Sequence, residues 1–178
     1  MAGLGAQDRL QPSLLDRLTD YEPQSAVESM DARVLSRRQL RDAVLRDLAW
    51  LFNSTCEEPD PLVQADPERV RMWEEASFAR DSVMNFGILP LTGQTLNIMN
   101  FPVIEEQIRQ SIIRFEPRID PNTVQVRIAN DMSLGVRPSS LSLSIKGQMW
   151  NQPVPLELLL SAEVDVDTGQ AAVRDLRA

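Results

Sequence analysis

The apolar residues of this chain change their spacing once, near residue 120, and that change constrains the fold more than any other feature. Before it the spacing is helical. Leu40, Val44, Leu48, Leu51 and Phe52 recur every three or four residues, as do Ile104, Ile108, Ile112 and Phe115. After it the period is two. Val124, Val126 and Ile128 alternate with polar residues, and so do Leu141, Leu143 and Ile145. Leu156, Leu158 and Leu160 open a third run toward Val164 and Val166, and Asp167-Thr168-Gly169-Gln170 turns into a last strand around Ala171 to Val173. Helices followed by four strands joined in sequence predict an α+β fold with a four-stranded antiparallel meander.

The helix ends are marked. Ser36 and Gln39 form a capping-box pattern, with Leu35 and Leu40 placed as a hydrophobic staple. Asp66-Pro67 predicts a second helix running toward Phe78. Asn100 and Pro102 predict the start of the helix over 100–115, with Glu105 and Glu106 read as acids near its positive end. Arg37, Arg38, Arg41 and Arg46 lie off the apolar stripe of the first helix and are expected to form a solvated basic face, with a dedicated binding face as the alternative.

Residues 1–34 are expected to be an extended docking arm, and 35–178 a single α+β domain. Within the arm, Leu14, Leu15 and Leu18 share one face of a short helix starting near Pro12 or Ser13. A small apolar face of this kind docks either on its own core or on a partner.

Composition excludes several kinds of chemistry. The chain has 178 residues and no histidine, which removes Ser-His-Asp and Cys-His catalysis and His-ligated metals. Its one cysteine, Cys56, cannot form an internal disulfide, and acidic neighbours oppose its ionisation. Lys+Arg of 18 against Asp+Glu of 26 leaves a net charge of −8, the wrong sign for nucleic acid or anionic lipid. Lys146 is the sole lysine; the other basic residues are arginines, a bias that a GC-rich genome produces by itself and that also suits interfaces, because the arginine fork pairs carboxylates. The first residues carry no basic start followed by an apolar run, and no window has the length of a membrane span, so a cytoplasmic protein is expected. Asn53-Ser54-Thr55 matches the glycosylation sequon, read as chance without a secretory route.

Several segments in a fixed order carry a family resemblance. They are Leu10-Gln11-Pro12-Ser13-Leu14-Leu15-Asp16-Arg17-Leu18-Thr19-Asp20, then Ser82-Val83-Met84-Asn85-Phe86-Gly87, then Leu91-Thr92-Gly93. Ile112-Ile113-Arg114-Phe115-Glu116-Pro117-Arg118-Ile119 and Val164-Asp165-Val166-Asp167-Thr168-Gly169 follow. Over about Arg9 to Val173 the chain resembles the TssE family of type VI secretion baseplate wedge subunits, similar to the small lysozyme-like wedge protein of contractile phage tails. Glu-Pro-Arg after an amphipathic helix is that family's hallmark. Ile88-Leu89-Pro90-Leu91 departs from it, because the family commonly has an acidic residue after the proline, and 57–80 is divergent.

The resemblance implies structural work without catalysis, cofactor or metal. It implies a fold similar to the handshake domain of contractile sheaths and a place beside TssF and TssG, with TssK nearby. It also implies contact with the sheath subunits TssB and TssC at the start of sheath assembly. Glu116, Pro117 and Arg118 are expected to hold the wedge together. Pro12, Leu14, Leu15, Asp16, Arg17 and Leu18 are expected to be arm contacts, and the hairpin through Asp167 and Gly169 is expected to meet the sheath. The residues of the triplet leave two readings open. Pro117 stops the helix and makes a rigid elbow, on which Glu116 and Arg118 either face a partner or pair with each other and the core.

Two other functions remain possible by composition. A glycosidase needs two carboxyl groups and no histidine, and Glu105, Glu106, Glu116 and Asp120 are its candidates. Against it, Arg118 beside Glu116 favours the charged carboxylate, and Trp50, Trp73 and Trp150 form no aromatic cleft. A soluble assembly adaptor is the third reading.

Overall fold

The computed structural model describes residues 13–19, 23–24, 36–60, 66–92, 100–129, 139–149 and 155–177. Among the described residues, five helices precede the sheet: α1 (Leu14–Leu18), α2 (Arg37–Phe52), α3 (Pro67–Glu75), α4 (Ser77–Arg80) and α5 (Phe101–Phe115). A 3-10 turn, Val83–Asn85, lies between α4 and α5. The strands are β1 (Gln125–Ile128), β2 (Ser140–Met149), β3 (Leu156–Asp165) and β4 (Ala171–Asp175). They pair antiparallel in the order β1-β2-β3-β4, the predicted meander.

The two strong helix patterns form as predicted. Ser36 and Gln39 close the capping box of α2, and its stripe of Leu40, Val44, Leu48, Leu51 and Phe52 is buried. Ile104, Ile108 and Ile112 of α5 are buried against the same cluster. The sheet contributes Val126, Leu141, Leu143, Ile145, Leu158, Leu160 and Val164. Each such side chain gains about 1.5–3 kcal/mol from leaving water. These terms, more than helix propensity, hold α2 and α5 on one face of the sheet.

Four expectations need correction. The helix after Asp66 does not run through to Phe78: it breaks at Ala76, whose ψ of 53° is not helical, and α4 restarts beyond it. Neither α3 nor α4 buries a side chain, so no core contact enforces one continuous helix. Asn100 stands at the N-cap of α5 but makes no side-chain capping bond. Because α5 starts at Phe101, Glu105 and Glu106 lie in its second turn, beyond the reach of the dipole argument. The basic face of α2 also splits. Arg38 is exposed, whereas Arg41 pairs with Asp175 at 2.8 Å and Arg46 pairs with Asp16 at 2.8 Å. Leu35 of the staple, Gly93 and Trp150 lie outside the described residues.

The Ser82–Gly87 segment is a structural joint. Ser82 caps the 3-10 turn. Asn85 is buried, accepts from the Glu57 and Glu58 N–H groups at 3.1 and 3.2 Å, and donates to the Arg80 carbonyl at 3.0 Å. Gly87 has φ of +139°, and a Cβ there would lie 2.5 Å from the Ser54 carbonyl oxygen. That closeness lets Ile88 N–H donate to Ser54 at 2.9 Å and Cys56 N–H to Ile88 at 3.0 Å, a parallel bridge just past the C-terminal end of α2. Cys56 is buried, and desolvation pushes its thiol above the usual range, so it is a packing residue.

Candidate functional site

The elbow after α5 is built from its proline outward. Pro117 bars the preceding residue from helical backbone, and Glu116 takes φ −123° and ψ 77°. Its N–H still donates to Ile112 at 2.9 Å, which keeps the elbow attached to the helix. Pro117 is exposed, Arg118 is half-buried and Glu116 is only 2% exposed.

Of the two arrangements open from the sequence, the geometry is the internal one. Arg118 Nε donates to Glu116 Oε1 at 2.6 Å, and its Nη2 donates to Glu116 Oε2 at 2.5 Å. The Arg118 backbone N–H adds a third bond to Glu116 at 3.1 Å. Nη2 also reaches Asp47 Oδ2 on α2 at 2.5 Å. Burial opposes charge on Arg118, but the Glu116 and Asp47 carboxylates outweigh it and raise the pKa further above its ordinary value.

The charges continue past Asp47. Arg46 Nε donates to Asp47 at 2.8 Å, and its Nη1 donates to Asp16 of α1 at 2.8 Å. Asp16 closes the α1 capping box with Ser13, accepting from the Ser13 N–H at 3.1 Å and its hydroxyl at 2.6 Å. Burial pushes the Asp16 carboxyl up, but the bonds from Ser13 and Arg46 win and hold it below its ordinary value. Asp16, Arg46, Asp47, Arg118 and Glu116 thus alternate in sign from α1, across α2, to the elbow.

Helix α1 is attached through this polar residue, not through its leucines. Leu14 is 74% exposed, Leu18 is 73% exposed and Leu15 is also exposed. The apolar face of α1 is therefore turned away from its own core. Pro12 and the Arg17 side chain lie outside the described residues. Trp50 is also exposed, with the Arg46 guanidinium 5.4 Å from its ring.

At the closing hairpin, Asp165 Oδ1 accepts from the Asp167 and Thr168 N–H groups at 2.9 and 2.8 Å. Those bonds, Thr168 first, depress the Asp165 carboxyl. Gly169 takes the left-handed conformation at φ +74°. The exposed Asp167 side chain stands at the tip.

The sequence reading missed a second exposed apolar set. Phe78 is 93% exposed, and Met72, Val83 and Met84 are exposed beside it in the chain, on α3, α4 and the 3-10 turn. The weak apolar patterning of 67–78 was the available sign. Arg114 lies in the last turn of α5, as the helix dipole favours, but its bond to Glu58 at 3.2 Å, which ties α5 to the loop that Asn85 holds, was not legible in the sequence.

The carboxylates considered for glycosidic chemistry are engaged elsewhere. Glu105 accepts from Arg127 Nη1 and the Ile128 N–H, both at 2.8 Å. Glu106 is held down to about 2 by Arg109 and Gln110. Asp120 accepts from the Asn122 N–H at 2.9 Å in a turn.

Ionic residues thus brace one element against another, and the apolar side chains of α1 are turned outward. Residues 38–154, well over half of the 178, match the family described as baseplate wedge protein gp25. The chain belongs to this family of structural baseplate components of contractile injection machines. No curated protein matches it. The family match covers nearly all of α2, then α3 through β2, and includes the elbow; α1 and the β3–β4 hairpin fall outside it.

Proposed function

We propose that this chain is a TssE-type subunit of a bacterial type VI secretion baseplate, linking the wedge to the contractile sheath. In this reading it sits beside TssF and TssG, near TssK, in the cytoplasm at a baseplate docked on the inner membrane complex. It helps initiate the sheath of TssB and TssC, and it has no enzymatic activity. Residues 1–34 serve as the docking arm. Within that arm, the observation that carries the proposal is α1, pinned at Asp16 with Leu14 and Leu18 facing outward. An apolar helix face fixed in that orientation is a preformed ligand for another protein.

The elbow works by position. Glu116 and Arg118 lock the end of α5 to α2, and α2 in turn holds the arm. Pro117 and the surface around it remain available for direct contact. The engaged states of Glu105, Glu106, Glu116 and Asp120 support the non-enzymatic reading, since a general acid must be within reach of a substrate and not committed to bonds within the fold. Among the described residues no helix is long and apolar enough to cross a membrane.

The test is a pull-down of tagged chain from co-expressed baseplate subunits. Three forms are compared: wild type, Leu14→Ser/Leu18→Ser and Glu116→Ala/Arg118→Ala, each checked for folding. Wild type should recover TssF- and TssG-like subunits in fixed stoichiometry, and both variants should lose them. Variable, substoichiometric recovery would favour a soluble adaptor. A folded wild type that recovers neither subunit would end the wedge reading.

A further inference from the structure

The two edges of the sheet are finished differently. At β1, Ala129 N–H donates to Ser142 at 2.8 Å, which leaves the Ile128 N–H pointing away from β2. Glu105 Oε1 accepts that bond at 2.8 Å. A helix side chain thereby caps this edge.

At β4 the alternation is set by Leu176 N–H to Leu159 at 3.0 Å and Asp165 N–H to Gln170 at 2.9 Å. Ala172 and Arg174 then bond toward β3, and Ala171, Val173 and Asp175 turn their N–H and C=O groups outward. One side chain takes both outward groups of Ala171. Asn53, the C-cap of α2, accepts from the Ala171 N–H at 3.0 Å and donates to the Ala171 C=O at 2.9 Å. The same amide donates to Ala49 at 2.8 Å, which fixes it to the last turn of α2. Two bonds exchanged with one backbone residue are what a residue of a fifth antiparallel strand would make. Among the described residues, the outward backbone groups of Val173 and Asp175 have no partner.

We propose that Asn53 is a register stop on the β4 edge. It fills the first rung, so that an extended segment of a partner can pair only from Val173 onward. Alternating side-chain patterns resist a one-residue slip, which would invert both faces of the added strand. They do not resist a two-residue slip of about 7 Å, which keeps every face. A blocked rung supplies that discrimination. The occupant is an extended backbone, because what the edge offers is an alternating row of donors and acceptors. Its assignment to the sheath subunits rests on the function proposed above.

The test is residue-resolved amide exchange on the full chain, alone and with the TssB–TssC pair, for wild type and Asn53→Ala. Asn53→Asp, near-isosteric and with its carboxylate opposed to the Ala171 C=O, serves if Asn53→Ala does not fold. In the free wild type, Ala171 should exchange about 10-fold or more slowly than Val173 and Asp175. The sheath pair should then protect Val173 and Asp175 and leave Ala171 unchanged. In the variant, Ala171 should exchange fast alone and gain protection when the pair binds. Equal exchange of Ala171 and Val173 in the free wild type would overturn the proposal. So would protection by the pair that is the same in wild type and variant. Pair binding that protects no β4 amide would remove the sheath as occupant and with it the register role, while the wedge pull-down stands apart. Protection that rises with the chain's own concentration would make a second copy the occupant and overturn it as well.

Discussion

Arg118 and Asp47 are 71 residues apart in sequence, and a 2.5 Å ion pair joins them, so the elbow after α5 is fastened to the middle of α2. The same guanidinium holds Glu116, which is almost fully buried. Removing Arg118 alone would leave that carboxylate without its counter-charge. Arg118→Ala should therefore cost about 3–5 kcal/mol in denaturant unfolding. Glu116→Leu/Arg118→Met should cost less than Arg118→Ala alone, because Asp47 keeps Arg46 at 2.8 Å and no buried charge is stranded. A double variant at least as unstable as the single would show that the triplet is not a buried ion pair.

Gly87 and Gly169 both have positive φ but should respond differently to alanine. At Gly87 the added Cβ meets backbone, the Ser54 oxygen at 2.5 Å and the Thr55 carbonyl carbon at 2.7 Å. At Gly169 it meets only Thr92 Oγ1, at 3.2 Å. Gly87→Ala should cost about 3 kcal/mol or more, from strain and forced separation of the 54–56 and 87–88 segments. Gly169→Ala should cost about 1–2 kcal/mol, the left-handed penalty alone. Thermal or urea unfolding of the two variants separates the effects, and similar losses would mean that the Gly87 contact is not tight.

The contrast between these glycines bears on what the sequence could reveal. Gly169 sits in a turn pattern, Asp-Thr-Gly-Gln, whose local chemistry announces its conformation. Gly87 is required by a segment some 30 residues earlier, and no local pattern contains that fact. The same division runs through the fold. The α2 and α5 stripes and the four strands were legible because period and capping are local. The break at Ala76 was not, since α3 and α4 bury nothing that would enforce either outcome. At the elbow, Pro117 predicted the turn, but the inward direction of Glu116 depends on Asp47, whose approach only the tertiary packing determines. Glu105 looked like a helix-start acid and instead caps the edge of β1, a partner that sequence distance conceals.

Asp16 makes the seating of α1 dependent on pH in a defined direction. Its folded pKa is lowered from 3.8, so the stabilisation is fully present above that value. It is lost as pH falls through the lower folded value, where the carboxyl takes a proton and both the capping box and the Arg46 pair weaken. The Leu14 and Leu18 methyl resonances should be constant from neutral pH down to about 4 and should move below it, before the core methyl groups of α2 do. Asp16→Asn should give the moved positions already at neutral pH. Resonances of α1 that shift only together with the core would show that Asp16 does not pin the arm.

Leu14 and Leu18 separate a folding role from a docking role. Both are about three-quarters exposed, so replacing them with serine removes little buried apolar surface. Leu14→Ser/Leu18→Ser should change global stability by no more than about 0.5 kcal/mol for each site. Burying two leucines in a partner's groove is worth about 1.5–3 kcal/mol apiece. If α1 docks by that face, the double variant should lose about 100-fold or more in affinity for the wedge complex while its unfolding midpoint hardly moves. The expected pair of results is thus unchanged denaturation and weakened binding, measured on one preparation. Loss of stability comparable to the loss of binding would instead place these leucines against the chain's own core in solution. Unchanged binding with unchanged stability would take α1 out of the interface and leave the elbow to carry the wedge contact through Pro117.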